Sequence, residues 1–149
     1  MLSEKTISRC FVLQTAPSAI TGVCKEVADA LKQNNYSQDD VFAVRLALEE
    51  AFLNALKHGN KMDSSKKITI EYALRPGCVE ISLADEGSGF DPDSVPDPRY
   101  GENLYKSEGR GLFLMRSYMD AVSFEQQGSR VRMVRHNRNR RKQPQGRCG

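Results

Sequence analysis

The apolar residues of this chain change their period once, and that change limits the folds open to it. Before residue 60 they recur at helical spacing. Ile20, Val23, Val27, Ala30 and Leu31 form one stripe, and Val41, Val44, Leu48, Phe52 and Ala55 form a second. After residue 66 they alternate. Ile68, Ile70, Tyr72 and Leu74 point one way along one segment, and Val79, Ile81 and Leu83 do so along the next. Arg75-Pro76-Gly77 separates these two segments, as in an antiparallel hairpin.

The remaining punctuation completes the order. Arg9 to Leu13 reads as a first strand, and Pro17-Ser18 introduces the first helix. Ser37-Gln38-Asp39-Asp40 resembles a helix cap, and Gly59 is placed to end the second helix. Asp91 to Glu108 holds three prolines and little apolar periodicity, so it reads as a long loop. Gly111 to Met119 reads as a short helix, and Ala121–Gln126 with Arg130–Val134 as a closing hairpin around Gly128. The class is α+β: a two-layer α/β sandwich whose mixed, mostly antiparallel sheet is covered on one face by helices.

At 149 residues, with 39% hydrophobic and 28% charged, the chain suits one domain with a substantial core. The net charge of +3 hides an uneven distribution. From Arg135 onward there are six basic residues and no acidic ones, while acidic residues outnumber basic ones in the rest. The reading is therefore a mildly acidic domain over 1–134 and a basic, disordered tail over 135–149. The tail carries no interleaved aromatics for base stacking, which disfavours direct nucleic-acid binding. No apolar run reaches bilayer length, and the N-terminus has no apolar signal core. The expected location is the cytoplasm, with no membrane partner. Cys10, Cys24, Cys78 and Cys148 form no paired or zinc-like motif and are expected as reduced thiols.

Three short constellations have chemical character. Glu50, Asn54 and His58 are four apart and share one helix face beside the apolar stripe, where a carboxylate and an amide oxygen can face a cavity or simply form a polar flank. Asp85-Glu86-Gly87-Ser88-Gly89 follows a strand; its glycines allow a close ligand approach or a tight turn. Gly109-Arg110-Gly111 precedes a helix, where it is either a phosphate-binding start with Arg110 as an added charge, or a hinge.

Their order is more telling than any one of them. The phrases ALEEAFLNALKHGNK, ISLADEGSGFDP and SEGRGLFLMRSYMDAVSF resemble the three boxes of the GHKL (Bergerat-fold) ATPases, in particular the bacterial anti-sigma factor serine kinases of the RsbW and SpoIIAB type. The likeness runs from Ile7 to Val134. It implies ATP and Mg²⁺ as cofactors. Asn54 matches the asparagine that ligates the metal between phosphates, and Glu50 the carboxylate that acts as general base. Asp85 matches the aspartate that reads the adenine amino group, with Gly87 and Gly89 in the turn beneath it. Gly109, Arg110 and Gly111 match the phosphate side, Ser129 a position beside the adenine, and His58 joins the same nucleotide-binding set. The basic tail has no counterpart in the family pattern.

The implied function is that of a protein serine/threonine kinase. It would phosphorylate an anti-sigma-factor antagonist of the STAS-like kind and sequester a sigma factor. The alternative is a nucleotide-binding partner-switching module without turnover. Family members often form homodimers, so a second copy stands among the expected partners.

Overall fold

The computed structural model describes residues 6–87 and 107–140; at 107–110 and 127 it describes the backbone only. Gly89, most of the loop from Asp91 to Glu108 and the chain beyond Arg140 lie outside the described residues.

Strand β1 (Ile7–Gln14) leads into helix α1 (Ile20–Gln33) and then helix α2 (Gln38–Asn54). Strands β2 (Lys67–Leu74) and β3 (Cys78–Ala84) follow, then helix α3 (Ser107–Tyr118) and strands β4 (Ala121–Glu125) and β5 (Arg130–His136). The five strands lie in the order β1-β2-β3-β5-β4. Every pairing among the described strands is antiparallel, where a mixed but mostly antiparallel sheet was expected. The chain path explains it. Two helices separate β1 from β2, so the chain re-enters the sheet at the end where β1 left it. The β2–β3 and β4–β5 connections are hairpins, and α3 carries the chain from β3 to β4, with β5 between those two strands.

The alternation read in β2 and β3 sets their register. Ile70 pairs with Leu83 and Tyr72 with Ile81, and all four are buried on the helical side. Phe52, Leu48, Leu31, Ile68, Ile81 and Met133 are among the largest fully buried side chains, so the core lies between the helices and one face of the sheet. Ser37 caps α2: its Oγ accepts the Asp40 N–H at 3.0 Å. Cys24 is a free thiol in this core, and burial pushes it up to about 11. Cys10 is free and exposed, whereas buried Cys78 is disulfide-bonded, a departure from four reduced thiols.

The boundary expected at Val134 falls inside β5. Arg135 is buried, and its Nε donates to Asp40 Oδ1 at 2.8 Å while Nη1 donates to the Tyr118 carbonyl at 2.6 Å. The Arg138 N–H donates to Asp40 Oδ2 at 2.9 Å, and its guanidinium forms two bonds to Asp120. Asn137 is fully buried and donates to the Pro76 carbonyl. Residues 135–138 therefore belong to the packed body. Their charge is consumed by Asp40 and Asp120, which composition alone does not reveal.

Candidate functional site

Helix α2 carries Glu50 and Asn54 one turn apart near its C-terminal end. Both are half-buried. Their side chains meet the backbone of α3: a Cβ placed on Gly111 would sit 3.3 Å from Glu50 Oε1 and 3.5 Å from Asn54 Oδ1. Gly111 thus lets a second helix approach two side-chain oxygens with nothing but backbone between them.

The helix does not stop at Gly59 in the regular way. From Ala55 to Gly59 it widens into a π turn, closed by the Asn60 N–H donating to the Ala55 carbonyl at 2.7 Å. The wider turn breaks the four-residue alignment. Asn54 lines the cavity described below; His58 is half-buried and does not.

That cavity holds about 20 Å³ and is lined by Asn54, Asp85 and Ser129 together with Leu83, Met115 and Phe124, among others. Three of the residues singled out in the sequence therefore converge. Asp85 leaves the end of β3, its N–H donating to the Ser129 carbonyl at 2.9 Å. Its carboxylate accepts the Gly87 N–H at 2.8 Å. Burial pushes the Asp85 carboxyl above its usual range; the Gly87 N–H and the charge of Lys66 only partly oppose this. A desolvated carboxylate beside apolar walls suits a ligand that brings its own hydrogen-bond donor.

Gly59 and Gly87 form the tight packing beneath Asp85. A Cβ on Gly59 would overlap the Asp85 carboxylate, and one on Gly87 would overlap the Gly59 carbonyl oxygen. Helix α3 starts at Ser107, four residues before the expected Gly111. Gly109 and Arg110 thus lie in its first turn, where unpaired N–H groups concentrate, and Gly111 lies in the next. The side chain of Arg110 lies outside the described residues.

Sequence reasoning missed three contributors. Gly59 was read only as a helix end. Asn60, 1% exposed, went unnoticed because its burial leaves no mark in the sequence. The apolar walls, Met115 and Phe124 among them, come from elements distant in sequence.

The model of the histidine kinase-like ATPase domain matches residues 13–135. The chain belongs to this family. Among curated relatives, the serine-protein kinase RsbW of Bacillus licheniformis is 32% identical over 96 residues, and that of Bacillus subtilis (strain 168) 30% over 93 residues. Each match covers 58% of this chain and 58% of the relative, so it spans little more than half of those proteins. An anti-sigma F factor of Oceanobacillus iheyensis is 28% identical and covers 73% of this chain and 78% of its own length. The crystal structure of the RsbU and RsbW domains of Rv1364c from Mycobacterium tuberculosis superposes with a TM-score of 0.60 at 18% identity, covering 89% of this chain and 32% of that one. It supports the fold. Among the described residues, no helix is long and apolar enough to cross a membrane.

Proposed function

We propose that this chain binds ATP with Mg²⁺ and transfers the γ-phosphoryl group to a serine or threonine of an anti-sigma-factor antagonist, while its unengaged form holds a sigma factor. The observation that carries the reading is the meeting of Glu50 Oε1 and Asn54 Oδ1 at the backbone of Gly111, beside the cavity that Asp85 lines. The relatives' names, serine-protein kinase and anti-sigma F factor, support a serine acceptor and a sigma-factor partner.

In this reading Asp85 accepts the adenine amino group, and the first turn of α3, with Gly109 and Arg110, faces the phosphates. Asn54 is the protein ligand for Mg²⁺. A single amide oxygen plus phosphates and water suits an ion that keeps much of its hydration. When bound, the ion neutralises charge on the phosphate oxygens. Glu50 takes the proton of the attacking hydroxyl as its oxygen forms the new bond to phosphorus. The bond from phosphorus to the β–γ bridging oxygen breaks, and ADP leaves.

The test is Glu50→Gln. The expected outcome is transfer of labelled phosphate to the antagonist reduced at least about a hundredfold, with ATP affinity retained. Full transfer by this variant removes Glu50 as the base. An unmutated chain that binds ATP but never labels an antagonist identifies a nucleotide-dependent partner-switching module instead.

A further inference from the structure

Asn60 closes the π turn with its backbone, and its side-chain amide is spent on three separate parts of the fold. Its Nδ2 donates to Thr15 Oγ1 at 2.9 Å and to the Lys67 carbonyl at 3.0 Å. Its Oδ1 accepts the Glu86 N–H at 2.8 Å. Both amide hydrogens and the carbonyl oxygen are used, which fixes the orientation of the group. Thr15 is anchored in turn, its hydroxyl donating to the Lys66 carbonyl at 2.6 Å. Glu86 closes the ring by accepting the Lys67 N–H at 2.6 Å. The end of β1, the start of β2, the exit of β3 and the π turn after α2 are thus tied at one buried side chain.

The position of that knot matters. Asn60 follows Gly59, whose bare Cα is the wall against the Asp85 carboxylate. It grips the N–H of Glu86, the residue after Asp85. Asp85 is therefore bracketed: Asn60 holds the peptide that follows it, the Ser129 carbonyl accepts its own N–H, and Gly59 limits where its carboxylate can go. The π turn makes this bracket. The extra residue in the turn brings Asn60 inward instead of leaving it on the helix surface.

We infer that Asn60 is a positioning residue for the adenine-reading carboxylate, tying the helix that carries Asn54 to the turn that carries Asp85. The inference rests on the ATP-binding reading above. It deepens that reading by naming what sets base specificity rather than what touches the base.

The experiment measures ATP and GTP affinity on the full chain with Asn60→Ala, Asp85→Asn and the double variant, alongside thermal unfolding. Positioning through Asp85 predicts that Asn60→Ala lowers ATP affinity about tenfold or more and narrows the preference for ATP over GTP. It also predicts that the loss is not repeated in the Asp85→Asn background, because the two residues act on one contact. Inorganic triphosphate affinity stays within about twofold, since the phosphate side is untouched. Should Asn60→Ala fail to fold, Thr15→Val removes the anchor behind Asn60 together with the bond to the Lys66 carbonyl while leaving the Asn60–Glu86 contact, and a smaller narrowing of the ATP preference in a cooperatively folding protein is expected. Equal losses for ATP, GTP and triphosphate, or losses that add fully to those of Asp85→Asn, reduce Asn60 to a stability residue and overturn the inference alone. An unmutated chain that binds no ATP overturns both the inference and the reading beneath it.

Discussion

Helix α2 has a carboxylate near each end, Asp40 buried and Asp85 half-buried, and the two are treated in opposite ways. Asp40, in its first turn, is fully buried and accepts from Arg135 and from the Arg138 N–H. Asp85, packed beyond its last turn, accepts one bond among the described residues, from Gly87, and lines a cavity. Asp40 is fully out of water and paired with the Arg135 guanidinium, whereas Asp85 is half-buried and only partly offset by the charge of Lys66. A buried charge that is paired and hydrogen-bonded belongs to the scaffold. A desolvated carboxyl held above its usual range, next to an opening, retains capacity for a ligand. The helix is locked at one end and chemically open at the other.

Removing the cation at the locked end is the largest way to break this comparison. Arg135→Ala leaves Asp40 buried without its guanidinium and also strips a donor from the Tyr118 carbonyl. The expected loss is about 3–5 kcal/mol, measured by urea unfolding with an unchanged slope against denaturant. A loss below about 1 kcal/mol means that the pair is solvated, and the two ends are then alike.

At the open end the effect is smaller and falls on binding. Gly59→Ala drives a methyl group into the Asp85 carboxylate, which has to move. The expected cost is about 1–3 kcal/mol of stability together with roughly a tenfold or greater loss of ATP affinity. Gly22 is the control. It lies in α1 with nothing within 4 Å of an added Cβ, so Gly22→Ala is expected to stabilise by about 0.5–1 kcal/mol and leave ATP affinity alone. Calorimetric titration and thermal unfolding of both variants separate crowding at Asp85 from a general intolerance of the exchange.

The difference between the two ends also marks what a single sequence can disclose. The layers and most strands were legible because burying one face imposes a period, and Ile68 to Leu83 keeps it over two strands. The cap at Ser37 was legible because its acceptor and donor lie three residues apart. Asn54 and Asp85 were singled out through the order of the motifs and Ser129 through the family resemblance, and the three line one cavity. The Asp40–Arg135 pair was not legible: its partners are 95 residues apart, and composition averaged Arg135 into a basic tail. Nor was the π turn, since one extra residue within five leaves no periodic mark. Asn60 and the displacement of His58 were lost with it. The start of α3 was misjudged because Gly109 and Gly111, poor helix formers in isolation, are accepted where Gly111 lets Glu50 and Asn54 come close.

The smallest effect has the opposite sign and sharpens the contrast most. Burial raises the Asp85 carboxyl in the folded state, so folding favours its protonated form. The stability contributed by the neutral form is fully present below the unfolded-state value, about 3.9, and is lost as pH rises through the higher folded-state value. At neutral pH the ionised carboxylate is therefore a liability to the empty protein. Asp85→Asn, which cannot ionise, is expected to unfold at a higher temperature than the unmutated chain at about pH 7, with the gap closing as pH falls towards about 4. ATP affinity is expected to move the other way, falling about tenfold or more because the proposed acceptor for the adenine amino group is weakened. Comparing the two proteins at each pH cancels every other titrating group. A variant less stable than the unmutated chain at neutral pH makes Asp85 a structural carboxylate like Asp40. A variant more stable yet poorer at holding ATP establishes that α2 gives up stability at the end where it binds.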